Sequence, residues 1–98
     1  MGFLANMMAG WRLKSLTAIL QTATNLQNDR PSFQRRLAEA ERMLMKISNA
    51  RHLLTGRLRG WETAYGWAHR AHEIASEAEW DDDARLALHV RAVIATFI

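Results

Sequence analysis

Phe33, Leu37, Ala40, Leu44, Ile47 and Leu54 follow one another at steps of four, three, four, three and seven. That spacing places all six on one face of an α-helix. Arg35, Arg42, Lys46 and Asn49 fall on the opposite face, so this helix has one side for a core and one for water or an acidic partner. The pattern predicts a helix over 33–54, with Gly56 placed to close it in a left-handed cap. Arg51 falls inside the apolar stripe and requires either a partner or exposure.

Three further helices follow from the same reasoning. Over 3–26, Leu4, Met8, Trp11, Ala18 and Leu26 lie on one arc, and Leu13, Leu16 and Leu20 on another. A helix apolar on two arcs wants two neighbours. It is either a central helix touching several others, one that gives an arc to a subunit interface, or one that lies on a membrane surface, with Arg12 and Lys14 flanking Trp11 and Leu13. Over 61–79, Trp61, Ala64, Ala68, Ala71, Ala75 and Ala78 form a small-residue stripe that admits a close neighbour. Over 84–97, Leu86, Val90, Val93 and Phe97 form a stripe widened by Ala87 and Ile94.

The breaks agree with these elements. Pro31 interrupts helical periodicity, and Ser32 after it suits an N-cap. Asp81 or Asp82 suits a cap for the last helix, and the neighbouring acids favour its positive end. The expected fold is all-α, a compact antiparallel bundle of four helices in one domain spanning 1–98.

Charge changes the picture by its distribution. Residues 1–60 hold ten Arg and Lys against three Asp and Glu, and residues 61–98 hold three against seven. The basic part can attract the acidic part, within one fold or between copies, or can meet nucleic acid. Arg35, Arg42 and Lys46 share a helix side, with Arg57 and Arg59 in the connector beyond; these five are the candidate contacts to nucleic acid or an acidic partner. Glu39 and Glu41 interrupt the stripe.

Chemistry is sparse. The chain has no cysteine, which removes disulfides and thiolate metal sites and fits a cytoplasmic setting. His69, His72 and Glu73 lie within one turn, but match no metalloprotease pattern, and a third strong ligand would have to come from His52 or His89. Plain surface histidines are the expectation, with no metal. No nucleophile elbow, phosphate loop or dinucleotide fingerprint occurs, so neither an enzyme nor a cofactor is expected. No signal peptide, myristoylation motif or membrane span is expected in the first 28 residues.

Four tryptophans among 98 residues are many for so small a core. Trp11, Trp61 and Trp67 are the candidate interface anchors, and Trp80 is expected to cover a helix end. The functional expectation is a non-enzymatic interaction protein, an adaptor, regulator or inhibitor that docks on a protein partner or on a second copy. The alternative is a nucleic-acid-binding accessory subunit using the basic face.

Overall fold

The computed structural model describes residues 2–98. Among them are four α-helices: α1 (Gly2–Thr24), α2 (Arg30–Asn49), α3 (Trp61–Glu77) and α4 (Asp81–Ala95). A short 3-10 turn, Arg51–Leu53, lies between α2 and α3. The described residues contain no strand. The expected class, an all-α four-helix bundle, is the observed one.

Tight turns make α1 with α2, and α3 with α4, antiparallel hairpins, and these two pairs pack most extensively. Between the hairpins, α1 touches α3 and α2 touches α4. Phe33 near the start of α2 meets Trp80 just before α4, edge to face, with ring centroids 5.3 Å apart. Gly60, just before α3, sits against Leu13 of α1, whose Cδ2 is 3.7 Å from where a β-carbon on Gly60 would stand. The contacts between hairpins therefore join helices that run the same way, and residues 50–60 carry the chain across one end of the bundle.

The core follows the stripes. Leu16, Leu20, Phe33, Leu37, Leu44, Ile47, Trp61, Val90 and Ile94 are its largest fully buried side chains. Burial stabilises by roughly 1.5–3 kcal/mol for each large apolar side chain, set against the chain entropy lost. Ala64, Ala68, Ala71 and Ala75 are buried, so α1 and α4 can approach α3 closely. The most buried arc of α4 is Ala87, Val90 and Ile94, and Leu86, Val93 and Phe97 flank it half-buried.

Several element ends differ from the sequence expectation. The N-cap of α2 is Asp29 rather than Ser32; its carboxylate accepts from the Ser32 amide at 3.3 Å and the Ser32 hydroxyl at 2.7 Å. Pro31 therefore lies inside the first turn, where its missing N–H leaves no helical bond unmade. At the other end α2 stops at Asn49, and the chain tightens into the 3-10 turn. Leu54 and Arg51 are thus outside α2, and Gly56 takes its positive φ of 69° in the connector, not at the helix cap.

α3 ends in a left-handed residue that is not glycine, Glu79 with φ 60°. The Trp80 amide donates to the Ala75 carbonyl at 2.8 Å and the Glu79 amide to Ser76 at 3.1 Å, which closes the helix end. α4 then begins at Asp81, earlier than expected. Trp80 is its N-cap residue, with no side-chain cap bond, so neither Asp81 nor Asp82 is the cap. All three aspartates lie in the first turn, where their charge favours the positive helix end.

Candidate interaction surfaces

α1 carries two apolar faces on opposite sides. Ala9, Leu13, Leu16, Leu20 and Ala23 are buried. Across the helix stand Phe3, Leu4, Met7, Met8 and Trp11, all exposed; Phe3 is 82% and Trp11 62% accessible. The two-arc pattern therefore resolves into one arc in the core and one facing outward. Further along the outer face the residues become small or polar: Lys14, Ser15, Ala18 and Thr22, all exposed.

Because Gly60 lies beside Leu13, α3 starts level with the middle of α1. The first three turns of α1, roughly 16 Å at 1.5 Å per residue, extend beyond it. The connector fastens this extension on its inner side: Asn6 Nδ2 donates to the Thr55 carbonyl at 2.5 Å, and the Thr55 amide donates to Asn6 Oδ1 at 3.0 Å. Leu4 and Met8, at the edge of the outer strip nearest the connector, line a shallow apolar groove with His52, Leu53 and Thr55, and Leu53 is itself exposed.

The tryptophans divide. Trp11 is on the outer face. Trp61, 1% accessible, is stacked on Phe97 with centroids 4.1 Å apart and planes 9° apart. It is a core residue rather than a surface anchor, because α4 brings Phe97 over its ring. Trp67 is half-buried against the core. Trp80 is half-buried between Phe33 and the Arg30 guanidinium, which lies 5.7 Å from its ring centroid.

The basic residues also divide. Arg35 and Arg42 line a groove between α1 and α2 with Thr22, Leu26, Arg36 and Glu39, and Lys46 continues their side of α2. Within that groove Arg36 pairs with Glu39 at 2.9 Å, which offsets part of the positive field. Arg57 pairs with Glu62. Arg59 lies beside Lys14, Thr17 and Thr63, in a groove that reaches α3. The five expected contacts thus form no single stripe; the connector carries Arg57 and Arg59 away from α2.

Two polar clusters hold helix ends together. Asp83, 5% accessible, accepts from Arg30 Nε at 3.3 Å and Gln34 Nε2 at 3.1 Å, tying α4 to α2. Sequence reasoning grouped Asp83 with its two neighbours; its place four residues before Ala87, in line with Val90 and Ile94, is the signal that turns it inward. At the opposite end Arg51 is exposed, donates to Thr96 Oγ1 at 2.7 Å and to the Thr96 carbonyl, and lies 4.0 Å above the Phe97 ring. Its partner is the end of α4, through a hydroxyl and a carbonyl.

The histidines have separate neighbours. His72 Nδ1 is 3.0 Å from the Ala84 carbonyl, so that nitrogen is the donor. His69 Nδ1 is 2.8 Å from Arg91, which donates to it, and His89 faces Glu41 at 3.8 Å. Among the described residues no three His, Asp or Glu side chains are grouped to hold a metal ion. The Ser32 hydroxyl, then the Ser32 amide and Arg35, hold the Asp29 carboxyl below the usual range.

Fold and surfaces together define an all-α bundle with an apolar outer strip at one end. No family, no curated protein and no solved structure matches the chain. No helix among the described residues is long and apolar enough to cross a membrane.

Proposed function

We propose that this chain is a non-enzymatic interaction protein that docks the outer face of α1 on a protein partner. One observation carries the reading: Phe3, Leu4, Met7, Met8 and Trp11 stand exposed together, opposite the face that forms the core. They offer on the order of 500 Å² of apolar surface, within the range of the largest patches on soluble domains, which are often functional. Trp11 supplies the large, stiff contact typical of an interface anchor.

The non-enzymatic reading has support of its own. The hydroxyls of Thr17, Thr24 and Thr96 donate to the carbonyls of Leu13, Gln21 and Val93, and His69 and His72 are engaged as described. These groups serve helices rather than a pocket. The absence of cysteine supports a cytoplasmic setting. The nucleic-acid alternative draws on Arg35, Arg42 and Lys46 alone, since Arg57 is paired and Arg59 is remote from them.

A photo-crosslinking residue placed at Trp11 tests the proposal, with one at exposed Arg70 as control. Covalent protein adducts in cells from position 11 and none from position 70 are expected. No adduct from position 11 overturns it.

A further inference from the structure

We infer that the outer face of α1 is occupied by a second copy of the chain, with the two α1 helices antiparallel and crossing at Trp11. This rests on the reading of that face as a docking surface and names its occupant.

The face is bulky in one half and small in the other. Leu4, Met7, Met8 and Trp11 make up the first half; Ser15, Ala18 and Thr22 lie on the same side of the helix in the second. A two-fold axis through Trp11 sets Leu4 opposite Ala18 of the second copy and Met7 opposite its Ser15, because paired positions then sum to twenty-two. Leu4 and Met7 then each meet a small side chain, so the two helices can pack in contact on either side of the central Trp11 pair. The two Trp11 rings meet at the centre, where interface energy concentrates, and can stack with an offset. A two-fold contact of this kind uses one patch twice and closes on itself.

With Phe3, the bulky half offers on the order of 500 Å², and the Lys14 stem with Ser15 and Ala18 extends the strip towards the roughly 800 Å² per partner of a stable complex. The antiparallel register places Lys14 opposite Met8 of the other copy. The two lysines are thus offset by about 9 Å along the axis at 1.5 Å per residue, and water screens their repulsion.

Sedimentation analysis of the full chain tests the inference. The expected result is a dimer that persists at high salt and weakens at least about thirtyfold with Trp11→Ala. Leu4→Ala and Ala18→Leu should each weaken it, and the double variant should recover most of the loss, because the large and small partners have merely changed places. Circular dichroism melts confirm that each variant folds. A monomer at high concentration overturns the inference, as does a dimer in which the double variant shows no recovery. If a monomer still crosslinks another protein from position 11, the inference fails and the proposed function stands. A monomer that instead binds anionic vesicles through Trp11, read as a fluorescence shift, also overturns the second-copy occupant.

Discussion

Asn6 exchanges two hydrogen bonds with Thr55, through the backbone amide and carbonyl of a connector residue 49 positions away. A side-chain amide has one acceptor and one donor end, so it can satisfy both groups of a single peptide segment. The pair ties the connector to the extended end of α1. Asn6→Ala should cost about 1 kcal/mol, the net worth of exposed bonds of this kind. Amide exchange should accelerate at Thr55 and its neighbours while the centre of α2 stays protected.

Asp83 joins the two hairpins at the other end. Asp83→Ala should lower stability by about 1–2 kcal/mol, since Gln34 and half-exposed Arg30 lose a shared, buried acceptor. Chemical denaturation measures the loss. Arg30→Ala should cost less, because Gln34 still satisfies the carboxylate.

Glu79 sits in the left-handed region, where a β-carbon is crowded by the backbone. Glu79→Gly should stabilise the protein by about 0.5–1 kcal/mol and raise Tm by several degrees. A lower Tm would mean that the Glu79 side chain contributes more than its backbone costs.

Asp29 gives the stability a pH dependence. Its folded carboxyl titrates below the unfolded value, chiefly because the Ser32 hydroxyl donates to it. Its contribution is therefore fully present above the ordinary carboxylate range and is lost as pH falls through the depressed folded value. Ser32→Ala should reduce that acid-side component, and Asp29→Asn should remove it. Unfolding measured between neutral pH and about pH 2 reads both.

Much of the fold was legible because periodicity reports which face is buried. Phe33, Leu37, Ala40, Leu44 and Ile47 are all in the core, as is the alanine stripe of α3 up to Ala75. Helix ends were harder. Asp29 and Ser32 are both good caps, and only geometry decides between them; Glu79 carries no sequence mark of a left-handed residue. The outer strip was partly legible: both arcs of α1 appear in the pattern, but which one meets the core is decided by the packing of α2 and α3 on α1. Trp61 looked like Trp11 from sequence, and Phe97, thirty-six positions away, is what buries it.

The overhang of α1 has a consequence for how contacts are made. Its outer side chains ride on a rod already ordered by folding, so a partner meets a preorganised edge, and little further chain freedom is lost on contact. Because those residues take no part in closing the interior, exchanging them can redirect specificity while the bundle beneath stays unchanged.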